Sequence, residues 1–361
     1  MSYQLTEKVR ELEPYEPISG SYDIRLDANE SFFNLPDEVR EEIKQLMDTV
    51  DFNRYPDPTA RRLTQAFADY YGLNTEHITV TNGSDEMLYL LASALLNKQS
   101  RVVVTDPDFS MYGFYSFLSE NQVFTYKKNE QMQIEVDGLL AFAKEKAADM
   151  IIFSNPCNPT GCGITAEEAR RLVRGAGDCL VVLDEAYMDF WEESLQGEAY
   201  TYDNLIVLKT ASKAVGAASL RLGFAAANPT ITKALRSIKS PYNVNTLSQE
   251  IGTCLYRHGD LLRQRREEII GQTKRLYEEI RKLIDNYQLP MTIYEPCANF
   301  VFLQTEQAER IYRFMLENSV AVRWFRQAGA LRITTGNEEE NSQFLVLLEK
   351  YIMKNILKTN R

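Results

Sequence analysis

The sequence predicts an α/β fold: a large domain on a mostly parallel seven-stranded sheet with helices on both faces, a smaller α+β C-terminal domain, and an N-terminal arm. Three observations predict it. From Ile78 to about Phe224, apolar runs of strand length alternate with helical stretches, the pattern of a parallel sheet buried on both faces. Beyond Pro229 the chain turns strongly helical, and from Met291 it mixes short strands with helices. At 361 residues it exceeds one ordinary core, so a large and a small unit are expected. The divisions read as 1–35 for the arm and the start of the small domain, 36–285 for the large domain with an interdomain helix, and 286–361 for the small domain.

Each element has its local reason. Residues 1 to about 28 carry Pro14, Pro17 and Gly20 with little helical periodicity, and read as an extended arm of the kind that often crosses to a partner subunit. Pro36 opens an amphipathic helix, Asp37 to Met47. Asn53-Arg54-Tyr55-Pro56-Asp57-Pro58 is a proline-stiffened loop, because the residue before each proline is pushed to extended geometry, and it gives Tyr55 a fixed setting. Strands are expected at Ile78-Thr81, Arg101-Thr105, Val123-Tyr126, Met150-Ser154, Cys179-Leu183, Leu205-Leu208 and Leu222-Ala226. Helices are expected at roughly 84–97, 110–119, 138–147 and 165–174, the last started by a capping box of Thr165 with Glu168. A long charged helical segment from about Thr246 to Asn286 would link the domains. Strands at Asn299-Leu303, Val320-Trp324 and Ala330-Thr334, with helices at about 305–318 and 338–354, make up the small domain.

Composition excludes several function classes. A net charge of −11 argues against a nucleic-acid partner, because phosphate-binding surfaces need excess Lys and Arg. Any anionic ligand must be held by local cations. The five cysteines are odd in number and lack zinc-type spacing, and they read as reduced thiols. The N-terminus has no apolar stretch of signal-peptide length and no later segment is long enough to span a bilayer, so a cytoplasmic location is expected.

The stretch that organises the rest is Thr210 to Gly223. Lys213 is bracketed there by hydroxyls and small residues between two strands, a setting that strips solvent from an amine, disfavours its charge and makes it nucleophilic towards carbonyls. Arg221, eight residues on, is a fixed cation, and Thr210 and Ser212 offer hydroxyls to an anion bound beside it. The plainer alternative is a strand end with a surface lysine. In open α/β sheets ligands sit at the carboxyl ends of the strands, so the residues just after each strand matter. Asn82-Gly83-Ser84-Asp85-Glu86 opens a helix whose first amides face an anion, with the side chains of Asp85 and Glu86 expected to point away. Phe109 could stack on a flat heterocycle or pack in the core. Asn158, in a rigid turn, could bond a ring oxygen. Asp184 ends an apolar run and needs a partner to stay ionised: a protonated pyridine nitrogen would serve, as would a helix terminus it caps. Tyr187 would lie within reach of the ring oxygen.

These residues in this order resemble the fold-type-I pyridoxal-phosphate aminotransferases of the class I/II superfamily, almost end to end. Within it the chain is similar to the histidinol-phosphate aminotransferase family. The resemblance is carried by Leu26-Asp27-Ala28-Asn29-Glu30, Asn53-Arg54-Tyr55-Pro56, Asn82 to Glu86, Asn158-Pro159-Thr160-Gly161, Asp184-Glu185-Ala186-Tyr187, Ser212-Lys213 with Arg221, and Leu331-Arg332-Ile333-Thr334. It implies that Lys213 forms the Schiff base with pyridoxal 5'-phosphate and shuttles the proton, that Asp184 pairs with the pyridinium nitrogen, and that Asn158 and Tyr187 bind the phenolic oxygen. Phe109 would stack on the ring. The phosphate would be held by the amides of Ser84 and Asp85, by Thr210, Ser212 and Arg221, and by Tyr55 from the second subunit of a homodimer. Arg332, with Arg323 nearby, would grip the anionic end of the substrate, Tyr15 on the arm would close over it, and Asn29 would belong to the substrate side. The implied reaction moves the amino group of histidinol phosphate to 2-oxoglutarate; aromatic amino-acid transamination and threonine-phosphate decarboxylation are the alternatives on the same fold.

Three departures from the resembling pattern stand out. Cys157 replaces an asparagine, Gly216-Ala217-Ala218-Ser219 replaces Gly-Leu-Ala-Gly, and Trp324-Phe325 brings two aromatics into the region that shapes the substrate pocket. A rival from another class, an NAD-dependent oxidoreductase, rests on Gly161-Cys162-Gly163-Ile164-Thr165-Ala166, which fits G-x-G-x-x-A. That motif should follow its strand directly, yet six residues with two prolines intervene after Ser154, and Lys213 and Arg221 would be left without a role. A pyridoxal-phosphate-binding sensor of a transcription factor would need a basic DNA-binding module, and none precedes residue 30.

Overall fold

Strands buried on both faces build the larger sheet of the computed structural model, which describes residues 3–10, 12–13 and 18–356. The chain opens with a short helix α1 (Glu7–Arg10) and strand β1 (Ile24–Leu26), followed by helices α2 (Asp37–Met47) and α3 (Arg61–Tyr71). Next come β2 (Ile78–Asn82), α4 (Gly83–Leu90), β3 (Arg101–Asp106), α5 (Met111–Leu118), β4 (Gln122–Lys127), α6 (Val136–Glu145), β5 (Met150–Ser154) and α7 (Ala166–Gly175). The run closes with β6 (Leu180–Asp184), β7 (Leu205–Thr210) and β8 (Leu222–Ala227). Helices α8 (Pro229–Ile238), α9 (Thr246–Arg257) and α10 (Gly259–Tyr287) lead to β9 (Thr292–Tyr294), β10 (Phe300–Gln304), α11 (Ala308–Glu317), β11 (Val320–Phe325), β12 (Ala330–Thr334) and α12 (Glu338–Tyr351).

The seven-stranded sheet has the order β2-β8-β7-β6-β5-β3-β4. All its pairings are parallel except those of β8, which runs antiparallel to both β2 and β7. Side chains alternate between two cores: Val103, Ile151, Val181 and Leu205 pack under α6 and α7 on one face, and Val102, Ile152, Val182 and Ile206 pack with Met87 and Leu235 on the other. Parallel ladders of this kind keep the carboxyl ends of the strands along one edge of the sheet.

The smaller sheet, β1-β11-β12-β10-β9, buries its own cluster of Leu26, Val301, Val322, Ile333 and Phe344 against α10, α11 and α12. Its first strand comes from the arm: Ile24–Leu26 runs parallel to Val320–Val322. The arm is therefore not wholly extended. It carries α1, and the Lys8 ammonium lies 2.7 Å from Glu120 of the same chain.

Two helix expectations are corrected. The linking segment is two helices, not one, because the chain turns at His258 (ψ 44°) ahead of Gly259, where the α9 ladder stops. The helix expected over 84–97 gives way to a wider π turn at Leu91–Leu95 before Leu96 turns extended. Helix α3 and strand β9 lay outside the sequence expectation. The Thr165–Glu168 capping box forms as read, with Glu168 accepting from the Thr165 N–H at 2.8 Å. Among the described residues no helix is long and apolar enough to cross a membrane.

Candidate active site

At the carboxyl edge of the larger sheet, β7 delivers the lysine. Lys213 Nζ donates to the carbonyl of Ala28 at 3.0 Å and lies 5.9 Å from the centre of the Tyr187 ring. Burial pushes its pKa down to about 8, helped by the cations of Arg332 and Arg221 against the opposing carboxylates of Glu30 and Asp85. An amine so placed has a neutral, nucleophilic fraction near physiological pH. Lys209, still inside β7, has its ammonium 3.0 Å from Asp189 and 3.6 Å from Glu185, whereas Lys213 lies beyond the end of the strand, in the turn that faces the crevice. Burial alone would lower Lys209, but Asp189 and Glu185 outweigh it and hold it protonated. Of these two lysines, only Lys213 can act as a nucleophile.

Asp184 is the last residue of β6 and is buried. One carboxylate oxygen accepts from the Tyr112 hydroxyl at 2.8 Å and the other from the Ala186 N–H at 3.1 Å. Burial still pushes its pKa up to about 6, with Asp108 and Asp85 adding to the rise. A cation is wanted there. Tyr112 was missed by the sequence reading; its signal was its place three residues after Phe109 on one helical turn, and the two rings meet edge-on at 5.5 Å.

Tyr187 follows Asp184 by one turn of loop, and its hydroxyl accepts from Asn29 Nδ2 at 2.9 Å. Asn29 is buried, has a left-handed backbone (φ 53°), and accepts through Oδ1 from the Thr334 hydroxyl at 3.0 Å. Asparagine tolerates that conformation better than most residues. It stands behind Tyr187, where it orients the phenol. Asn158 has its carbonyl oxygen engaged by Arg332, which leaves the amide N–H groups as its donors.

The anion end is built from backbone. Gly83 opens α4 with φ +80°, and a methyl added there would come within 2.7 Å of the Arg221 guanidinium. A methyl on Gly223 of β8 would lie 2.5 Å from the Ser84 nitrogen. Hydrogen is all that fits, so β8 and the start of α4 abut and leave the unpaired first-turn amides of Ser84 and Asp85 at the crevice. Thr210 Oγ donates to Ser212 Oγ at 3.0 Å, and the Ser212 N–H donates to Thr210 Oγ at 3.2 Å. Arg221 itself is left-handed (φ 51°). The Asp85 side chain, expected to turn away, instead pairs with Arg221 at 3.0 Å, because the guanidinium is its neighbour at the helix start and the pair is half-exposed. The Glu86 carboxylate folds back on the helix start, accepting from the Asn82 N–H at 2.5 Å and from Asn243 at 2.8 Å.

At the opposite end Arg323 on β11 faces Arg332 on β12 in direct register. Arg332 is buried, donates to the Asp27 carbonyl at 2.6 Å, and lies about equally far from the Phe300 and Phe325 rings, at 5.5 and 5.6 Å. Two arginines side by side on one face define a place for an anion. Trp324 points the other way: it stacks on Tyr312 in the core of the smaller sheet, so only Phe325 of the aromatic pair adjoins the arginines. Tyr55 is 81% exposed and stacks on Tyr242 at 4.7 Å. Tyr15 lies outside the described residues.

Which cofactor fits is decided by this donor set. A depressed amine, a buried carboxylate lacking a cation, a phenol and an amide aligned beside it, and a backbone cradle that a Cβ would fill match an aldehyde, a ring nitrogen, a ring oxygen and a phosphate respectively. Those are the groups of pyridoxal phosphate. The oxidoreductase motif does not survive: Gly161 and Cys162 fold back on Cys157 through bonds of 2.8 and 2.7 Å, and Gly161 packs near Phe300, away from any strand-to-helix phosphate turn. Fold and site thus define a pyridoxal-phosphate-dependent enzyme of amines.

The model of the family "Aminotransferase class I and II" matches residues 22–348, and the chain belongs to that family. It is an aminotransferase whose cofactor is pyridoxal phosphate. It is 36% identical over 340 residues to the histidinol-phosphate aminotransferase of Clostridium novyi (strain NT), covering 93% of this chain and 94% of that one. Against the enzyme of that name from Pyrococcus furiosus it is 34% identical over 348 residues, 96% and 97% of the two chains. Among solved structures, histidinol-phosphate aminotransferase from Sinorhizobium meliloti in complex with pyridoxal-5'-phosphate superposes with a TM-score of 0.85 at 21% identity, covering 98% of each chain. The L-threonine-O-3-phosphate decarboxylase of Porphyromonas gingivalis superposes at 0.78 with 22% identity, covering 92% of this chain and all of that one, which shows the shared fold.

Proposed function

We propose that this aminotransferase takes its amino group from L-histidinol phosphate and delivers it to 2-oxoglutarate, giving imidazole acetol phosphate and L-glutamate. The carrying observation is the arginine pair: Arg332 and Arg323 stand in register at the substrate end, and Arg332 is near enough to depress the Lys213 amine. One donor bears a phosphate and no carboxylate and the other bears two carboxylates, so one guanidinium set must accept either anion. The planar fork suits both. The 34–36% identity to histidinol-phosphate aminotransferases over nearly the whole chain supports the same substrate.

Each residue then has a defined role. When bound, pyridoxal phosphate supplies an aldehyde that captures the amine and a protonated ring that withdraws electrons from the bond to be broken. Lys213 would hold the cofactor covalently and would move the proton of the substrate Cα. Asp184, kept in place by Tyr112, would keep the ring nitrogen protonated. Tyr187 and Asn158 would donate to the ring oxygen, Phe109 would stack on the ring, and Ser84, Asp85, Thr210, Ser212 and Arg221 would hold the phosphate. Asn29 orients Tyr187, and Tyr15 closes over the substrate.

In this reading the enzyme is a cytoplasmic homodimer in which Tyr55, so exposed within its own subunit, reaches the phosphate of the other. The working units are an arm at 1–35, a cofactor-binding domain at 36–285 and a small domain at 286–361, with β1 of the arm completing the small sheet. The test is a panel of histidinol phosphate, phenylalanine, tyrosine and threonine phosphate, each with 2-oxoglutarate and purified enzyme. Histidinol phosphate should lead in kcat/KM. Faster turnover of an aromatic amino acid, or release of carbon dioxide from threonine phosphate, would refute the assignment.

A further inference from the structure

The loops after β3 and β5 each carry a residue assigned above to the ring pocket, Phe109 and Asn158. Their immediate chain neighbours, Asp108 and Cys157, converge on one ammonium, that of Lys128 just beyond β4. Lys128 Nζ donates to the Pro107 carbonyl at 2.9 Å and to Cys157 Sγ at 2.8 Å, and lies 3.5 Å from Asp108. The Lys128 and Asp108 side chains are only 1% and 2% exposed. Burial alone would lower the Lys128 pKa, but Cys157 and Asp108 outweigh it, so the amine stays charged.

Asp108 passes that anchorage to both walls. Its Oδ1 accepts from the Phe109 N–H at 2.8 Å and from the Ser154 hydroxyl, and its Oδ2 accepts from the Thr105 hydroxyl at 2.5 Å. Ser154 Oγ in turn accepts from the Asn158 N–H at 3.0 Å. One buried ion pair thus holds the backbone of Phe109 directly and that of Asn158 through a single hydroxyl. A buried pair adds little stability over apolar residues of similar volume, because desolvation consumes the Coulomb gain. What a fully bonded buried network does supply is a unique geometry.

We propose that the Lys128–Asp108 pair, completed by the Cys157 thiol, is a positioning device that sets the spacing between the Phe109 ring and the Asn158 amide around the cofactor. The proposal rests on the reading that those two residues line the ring site. It also accounts for Cys157, because where the resembling family has an asparagine, a thiol here receives the buried ammonium. None of the three residues needs to touch the cofactor.

The test uses purified holoenzyme carrying Lys128→Met or Cys157→Ala, with Lys98→Met, an exposed lysine paired with Glu120 at 2.9 Å, as control. The readouts are borohydride mapping of the cofactor on Lys213, circular dichroism of the cofactor's visible band, single-turnover rate with glutamate, and melting temperature. Lys128→Met should keep the cofactor on Lys213 but lose at least about half of the dichroic band and react about tenfold more slowly, with KM changed little, as expected for a pocket wall displaced by a fraction of an ångström. Cys157→Ala, which keeps the ion pair and decides the matter should Lys128→Met not fold, should weaken the band and rate about threefold. Lower melting temperature with an unchanged band and rate would overturn the proposal and leave the network as structural glue. Absence of the cofactor from Lys213 in the unmutated enzyme would overturn the site reading itself, and the proposal with it.

Discussion

Replacing Asp184 by asparagine should stabilise the cofactor-free protein and cripple the loaded one. In the structure the carboxylate has a Tyr112 hydroxyl and the Ala186 N–H for company, and burial lifts its pKa from 3.8 to about 6. A shift of that size corresponds to about 3 kcal/mol set against the charged form. The sign follows from linkage: the folded state binds this proton more tightly than the unfolded chain, so the stability it contributes is full below about pH 4 and is lost as pH rises through about 6. At pH 7.5, cofactor-stripped Asp184→Asn should therefore melt about 4 °C above the stripped parent, for a chain of this length. The gap should close towards pH 4. With cofactor bound the order reverses, because a ring cation beside the carboxylate recovers the desolvation penalty and asparagine cannot hold the ring proton. Scanning calorimetry of both forms across pH 4–8, with single-turnover kinetics, measures this. Equal melting of the two stripped proteins at pH 7.5, or near-normal turnover in the loaded variant, would show that Asp184 is only a structural residue bonded to Tyr112.

Other outcomes are as specific. The rate at which stripped enzyme captures pyridoxal phosphate should rise with pH through a midpoint near 8, since burial and the Arg332 and Arg221 cations depress the Lys213 amine to that value; a midpoint above 10 would place the reacting amine elsewhere. Lys213→Ala should abolish transamination, and borohydride mapping of the parent should mark Lys213 and not Lys209, whose ammonium is held by Asp189 and Glu185. Arg332→Lys should cost about 2–5 kcal/mol in both half-reactions if the buried guanidinium grips the substrate anion; a loss under about 1 kcal/mol would reassign it to a structural tie on Asp27. Gly223→Ala should lower cofactor affinity, read by titration, because the added methyl would sit 2.5 Å from the Ser84 nitrogen and push the start of α4 aside. Mixing Tyr55→Phe with Lys213→Ala should give hybrid dimers with one intact site, and inactive hybrids would place both groups in the same subunit.

Much of this protein was legible in the residues alone, for a physical reason: local periodicity, turn chemistry and charge are properties of neighbours in the chain. The alternation of apolar strands and helices set the parallel sheet, Thr165 with Glu168 set a helix start, and the small residues and hydroxyls around Lys213 marked the amine. What only the tertiary structure decided depends on groups far apart in sequence. That Lys209 is held charged is not legible locally: Asp189 and Glu185 reach it only in the fold, while Lys213, past the end of β7, comes to lie beside Tyr187. Tyr112 became the partner of Asp184, 72 residues away, only when β3 and β6 came to flank β5. Trp324 turned into the small-sheet core while Arg323 stayed opposite Arg332, because register across two strands assigns their faces. The knot of Lys128, Asp108 and Cys157 joins three loops, and its ammonium keeps its charge in the interior only because folding brings an acceptor from each of the others within reach.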